Sequence, residues 1–183
     1  MKGVVFTEFL ELVESKYGME VADDVQTKGN PCDTGFTSVG TYDHKILISL
    51  VVELSRSIGK TPQKIVYEFG KHLFHRFRET YPDPVRGSAN TWDFLRSVED
   101  VIHDEVRKLY PDAELPSFRF PPAEDGSFQI EYVSARPFAD LAAGLIDACI
   151  EYFGDDLTAE RIDLAGEPGT HAIFRLRPGS HSK

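Results

Sequence analysis

Two groups of residues in this sequence have the types and spacing to do chemistry. The first is His103, which falls within the apolar pattern of residues 91–109. At about 100° per residue, the apolar stripe of that segment centres between Leu95, Val98 and Ile102. His103 lies at the edge of the stripe, nearly in line with Trp92 and, if the helix continues so far, Tyr110. A neutral imidazole there has the reach to bind a buried metal or a buried carbonyl, and a packed, hydrogen-bonded core histidine is the plainer reading. The second group is Tyr132-Val133-Ser134-Ala135-Arg136. Arg136 precedes Pro137, which biases it toward an extended backbone. Alternate residues of an extended chain share a face, so a phenol, a hydroxyl and a guanidinium would point one way. All three are donors, and a guanidinium grips a carboxylate in a bidentate manner. The set is an anion clamp by chemistry, or the exposed face of an edge strand by position.

The other histidines offer less. The chain has six, namely His44, His72, His75, His103, His171 and His181. His72 and His75 stand one turn apart on a predicted helix, with Glu68 and Glu79 a turn to either side. Such a group has metal-ligand spacing. Lys71, Arg76 and Arg78 surround it with positive charge, however, and a solvated helix face explains it as well.

The elements that must position these residues are legible from periodicity. Residues 3–17 read as an amphipathic helix, with Val5, Phe9, Leu12 and Val13 at helical spacing. A second short helix covers 19–28, and Gly29–Gly35 is a loop by its breakers. Asp43 caps a helix that runs to about Ser57, with Gly59 at its C-terminal end. Thr61-Pro62 then starts a helix carrying Ile65, Val66, Phe69, Leu73, Phe74 and Phe77, which ends before Tyr81-Pro82-Asp83-Pro84. A polar loop spans 86–90. The helix over 91–109 places Phe94, Leu95, Val98, Val101, Ile102, Val106 and Leu109 on its apolar side. Pro111–Pro122 is extended, as is 127–136. Pro137 opens a helix to about Phe153. Strands near 159–165 and 170–177 flank Gly166-Glu167-Pro168-Gly169, a hairpin signal. The tail from Pro178 to Lys183 is expected to be disordered. Helices followed by an antiparallel sheet with inserted helices indicate an α+β fold.

Bulk properties narrow the function. A chain of 183 residues suits one domain, or two small lobes around a shared core. It can bury about two-thirds of its unfolded surface, enough to enclose a sizeable ligand. The net charge of −10 argues against nucleic-acid binding, which needs a positive field. Cys32 and Cys149 are the only cysteines and form no CxxCH, so covalent haem attachment, a cysteine-rich zinc site and a disulfide scaffold are excluded. Each more plainly packs as a small apolar residue than senses redox state. Glu8, Glu11 and Glu14 interrupt any apolar leader, and no apolar run is long enough to span a membrane. A reducing, cytoplasmic location is the expectation.

Taken together, the two groups suggest one ligand. A haem needs only a single axial histidine, because the porphyrin supplies the other four nitrogens. It also needs an apolar envelope and donors for two propionates. Separate elements of this chain offer each of these, and thirteen phenylalanines supply envelope material or ordinary core.

The sequence resembles the H-NOX family (haem nitric oxide/oxygen binding, or HNOB), in its stand-alone bacterial type. The resemblance spans essentially the whole chain. It rests on Met1-Lys2-Gly3, Phe69-Gly70, Val101-Ile102-His103 with Leu109-Tyr110-Pro111 and Leu115-Pro116, Tyr132-x-Ser134-x-Arg136, and Gly144-Leu145-Ile146. It implies a single domain over 1–183, with a helical distal lobe over about 1–60 and a proximal lobe over about 61–183. The proximal lobe would carry the His103 helix and a small antiparallel sheet, with non-covalent haem b buried between the lobes. By resemblance His103 is the proximal iron ligand, and Tyr132, Ser134 and Arg136 bind the propionates. Pro116 presses on the macrocycle. Val5, Phe9, Phe74, Phe77, Leu141 and Leu145 line the pocket, or else are plain core. Oxygen-binding members carry a distal tyrosine with polar or indole support. The matching positions here are Leu141, Phe9 and Leu73, which offer no donor, so the resemblance implies a nitric oxide sensor that excludes oxygen; carbon monoxide is a further possible ligand.

The implied mechanism is that nitric oxide binds ferrous haem and weakens or breaks the bond to His103. The resulting shift would regulate a separate protein, a histidine kinase or a diguanylate cyclase or phosphodiesterase, with no enzymatic activity in this chain. The competing readings are a haem-dependent enzyme, which the apolar distal positions disfavour, a haem-free partner-binding domain of the same fold, and a haem store or carrier.

Overall fold

The computed structural model describes residues 1–30, 35–123, 125 and 127–179. Cys32, His181, part of the expected 29–35 loop and most of the expected disordered tail lie outside the described residues. The first four helices follow the sequence closely. They are α1 (Gly3–Tyr17), α2 (Met19–Gly29), α3 (His44–Ile58) and α4 (Pro62–Thr80). Asp43 caps α3 by accepting from the Lys45 N–H at 2.9 Å. Gly59 ends α3 in the left-handed region at φ 70°, where a Cβ would be strained. Thr61 caps α4 in turn, with Pro62 in its first turn. A short helix α5 (Pro82–Arg86), which no periodicity in the sequence marks, follows at once.

The helix expected over 91–109 is present but not regular. It consists of α6 (Thr91–Ser97), a π-helical turn over Val98–His103, and α7 (Asp104–Leu109). A π turn closes its hydrogen bonds over five residues instead of four, so everything after it is rotated relative to everything before. Two expectations based on an even 100° step are corrected by this. Val101, expected on the apolar side, is 51% exposed. Trp92 does not line up with His103; it stacks on Phe128 at 4.5 Å and meets Phe120 edge-on at 5.4 Å.

The remaining elements are β1 (Ser117–Arg119), β2 (Phe128–Val133), α8 (Ala139–Phe153), β3 (Leu157–Asp163) and β4 (His171–Pro178). They form a four-stranded antiparallel sheet in the order β1-β2-β4-β3. β3 and β4 make the expected hairpin. The tail expectation is corrected in part, because β4 runs through Pro178, and the Gly179 N–H donates to the Asp156 carbonyl at 2.9 Å. The fold is thus α+β, with helices ahead of the sheet.

Two hydrophobic clusters form the core. One joins α1, α2, α3 and α4 through Phe6, Phe9, Leu12, Val13, Leu47, Leu50, Phe69 and Leu73, with Phe138 closing it. The other packs the inner sheet face, Ile130, Tyr132, Ala172, Phe174 and Leu176, against α6 and α8. α4 and α8 cross between them, and Leu145 packs against both. Among the described residues no helix is long and apolar enough to cross a membrane.

Candidate functional site

His103 is the last residue of the π turn and is buried. Its ring stacks on Phe118 of β1 at 5.6 Å between centroids. Its Nδ1–H donates to Glu99 Oε2 at 3.0 Å, one turn back. That bond leaves Nε2 as the atom able to bind a metal. Burial lowers the His103 pKa from the ordinary histidine value, and the bond to Glu99 only partly offsets this. The imidazole is therefore neutral near pH 7, the form that coordinates.

Glu99 was not singled out in the sequence, although its position one turn before His103 is visible there. Its Oε2 also accepts from the Phe118 backbone N–H at 3.1 Å, and its Oε1 accepts from Arg107 Nη2 at 2.8 Å. Burial alone would raise the Glu99 pKa, but these bonds outweigh it and hold the carboxyl below its usual range.

The clamp residues do come together, by a different route from strict alternation. β2 ends at Val133, and 135–137 form a bend. The Ser134 hydroxyl accepts from the Arg136 N–H at 3.0 Å, so Ser134 shapes the bend that carries Arg136. Tyr132 points inward from β2, its ring 5.7 Å from Phe118. Burial pushes the Tyr132 phenol up, against hydrogen bonds from Ser134 and the Phe138 backbone. Phe118 thus stands between the His103 ring and the Tyr132 ring.

Arg136 holds the segment just before β1. Its Nη1 donates to the Glu114 carbonyl at 3.2 Å, and its Nη2 pairs with the Glu114 carboxylate. Among the described residues Arg136 Nε, which is buried, has no hydrogen-bond partner. A cavity of about 380 Å³ opens here, lined by Thr41, His44, Asp112, Glu114 and Arg136 among others. Pro116, half-buried, follows Glu114 by two residues. Lys2 and Thr41 both bond Asp112, at 3.1 and 3.2 Å, which anchors the other end of this segment. No sequence signal marks Glu114.

The expected pocket residues divide between the two cores. Phe9 is fully buried, edge-on to Phe69 at 5.1 Å. Leu73 is buried, and Val5, Phe77 and Leu141 pack half-buried against the same helical core. Leu145 bridges both cores. Phe74 instead turns to the sheet-side core, edge-on to Phe94 at 5.8 Å. His72 does not join His75; it faces Glu8 of α1 at 3.3 Å, while His75 is exposed. Among the described residues no group of three or more His, Cys, Asp or Glu side chains is placed to hold a metal.

The donor set fits a haem. A buried neutral imidazole with one free nitrogen has the chemistry of an axial ligand and would need no second protein group on the metal. A buried guanidinium nitrogen without a partner, beside a buried phenol, suits a carboxylate.

A family model described as Haem-NO-binding (HNOB) matches residues 2–161. The Fe(II) unliganded H-NOX protein of K. algicida is 32% identical, with a TM-score of 0.87 over 100% of this chain and 99% of that one. The H-NOX of Shewanella woodyi, solved bound to IWP-051 in the Fe(II)CO ligation state, is 38% identical, with a TM-score of 0.84 over 100% of this chain and 97% of that one. An H-NOX protein from S. oneidensis in the Fe(II)NO ligation state shares the fold, with a TM-score of 0.88 at 24% identity over 98% of this chain and 100% of that one.

Proposed function

The chain belongs to the Haem-NO-binding family, and from that premise we propose that it senses nitric oxide through a haem ligated by His103 and held at its propionates by Tyr132, Ser134 and Arg136. Members of this family are haem-binding gas-sensor domains. The observation that carries the finer reading is the state of His103: buried, neutral, and fixed through Nδ1 so that Nε2 is free. When bound, the haem would supply a ferrous centre able to take nitric oxide, with His103 as its protein ligand and Tyr132, Ser134 and Arg136 at its propionates.

The residues of the chain do the rest. Tyr132, Ser134 and the free Nε of Arg136 orient the group by its carboxylates. Phe9, Leu73 and Leu141 form an apolar wall without a hydrogen-bond donor, which supports exclusion of oxygen, since bound oxygen carries partial negative charge and needs one. Release of His103 removes one restraint on the π turn that carries it. A ligand drives such a shift only through its different affinity for the two conformations. The output passes to a separate signalling protein, a histidine kinase or a diguanylate cyclase or phosphodiesterase.

The test is the absorption spectrum of the reduced protein. In air it should stay that of unliganded ferrous haem. With nitric oxide the Soret band should move to the position of a haem that has lost its imidazole. A Soret band that keeps the six-coordinate position would overturn the release of His103. The His103→Gly variant should lose haem unless free imidazole is supplied, and haem retained without imidazole would refute the ligand assignment.

A further inference from the structure

We propose that Glu99 is a positioning residue for His103: it accepts the Nδ1–H, directs Nε2 to the iron with raised basicity, and ties the ligand to β1 and α7. The proposal rests on His103 as the iron ligand and deepens that reading. Three observations carry it. First, the Glu99 carboxylate lies 3.0 Å from His103 Nδ1, so the tautomer with the proton on Nδ1 is the one that satisfies both groups. Second, the side chain is only 20% exposed, and that of His103 only 10%, so the bond is shielded from water. Third, the same carboxylate is held by the Phe118 N–H on β1 and by Arg107 on α7. A surface ion pair would have no reason to collect donors from three elements.

The chemistry follows from the charge on the acceptor. A carboxylate draws the Nδ1 proton more strongly than a neutral carbonyl does, which gives the imidazole partial imidazolate character and strengthens its bond to iron. Arg107 opposes this by drawing charge to Oε1. The strength of the ligand bond is thereby set by the balance between one carboxylate and one guanidinium. The Glu99 grip outlasts that bond, so a released His103 stays tethered to the Phe118 backbone and to α7. Its displacement is then delivered to β1 and the Pro116 segment.

The test uses the ferrous haem-bound protein and the frequency of its iron–histidine stretching band. Glu99→Gln keeps the shape and removes the charge, and the band should fall. Arg107→Gln removes the competing cation, and the band should rise. A merely structural role would move neither, or both in one direction. Glu99→Asp should restore part of the wild-type frequency. An unchanged band in Glu99→Gln would overturn the proposal while leaving the ligand assignment intact, since that stands or falls on His103→Gly and imidazole rescue. Should Glu99→Gln fail to retain haem, the haem-free wild type still decides. Its imidazole nitrogen shifts in NMR should place the His103 proton on Nδ1, and a proton on Nε2 would overturn the proposal.

Discussion

Gly70 of α4 and Gly144 of α8 face each other where the two helices cross, and neither leaves room for a methyl group. A Cβ on Gly70 would run into the Leu141 carbonyl oxygen, and one on Gly144 into the Tyr67 carbonyl oxygen. Backbone cannot yield as a flexible side chain can. Hydrogen bonds flank the crossing on one side, from Tyr67 to Asp147 at 2.7 Å and from Lys71 to Glu151 at 2.5 Å. Gly70→Ala and Gly144→Ala should therefore each cost about 3 kcal/mol, the upper range for overpacking. Urea unfolding of the haem-free protein checks this, and an unchanged midpoint in either variant would show that the helices can separate freely.

The sequence was most informative where one residue type does one local job. Asp43, Gly59, Thr61 and Pro62 marked the ends of α3 and α4 because caps act through their own backbone neighbours. Gly166 to Gly169 marked the β3–β4 hairpin for the same reason. The π turn that ends at His103 was invisible, since no residue type marks a π turn as a cap residue marks a helix end. The exposure of Val101 and the displaced Trp92 follow from it. Alternation grouped Tyr132, Ser134 and Arg136 on one face, with the exposed face of an edge strand as the plainer alternative; β2 is instead an interior strand with Tyr132 buried, and the alternation stops short of Arg136, where the Ser134 hydroxyl bends the chain. Glu114 could not be read at all, because its partner is 22 residues away on another element.

Cys149 should be chemically silent in the folded chain. It is fully buried, and burial pushes its thiol up to about 12. Against an ordinary cysteine near 8.5, its thiolate fraction at pH 8 is smaller by roughly a thousandfold. A thiol reagent should label Cys149 in a Cys32→Ser background only as fast as the protein unfolds. Labelling at the rate of a free thiol, without denaturant, would contradict this.

His72 should make the haem-free protein less stable as the solution is acidified. The groups facing it are Glu8 and Glu11 on α1 and Arg76 on its own helix. Burial is the largest influence and lowers its pKa below the ordinary value, despite the Glu8 bond. A depressed histidine contributes fully above its unfolded pKa, near 6.5, where both states are neutral. Below that pH the unfolded chain takes the proton first, so stability falls until the folded pKa is reached. Urea midpoints measured from about pH 7.5 to 5 should fall more steeply for wild type than for His72→Gln. Parallel curves would show that His72 titrates alike in both states.

Arg136 and Glu114 make opposite predictions about haem uptake. Arg136 presents one buried unpaired nitrogen, while its other two nitrogens are held by Glu114. On the proposed reading a propionate entering the clamp would compete with the Glu114 carboxylate, which is itself 73% exposed and free to swing into water. Arg136→Gln removes the charge-assisted grip and should weaken haem retention by about 10-fold to 100-fold, the worth of one such bond. Glu114→Gln removes only the competitor, so it should speed haem uptake and leave retention equal or tighter. Stopped-flow haem binding and transfer to a scavenging acceptor protein measure the two quantities separately. If Glu114→Gln slowed uptake, the carboxylate would be a guide for haem entry and not a competitor. If Arg136→Gln kept wild-type retention, the propionates would be held elsewhere.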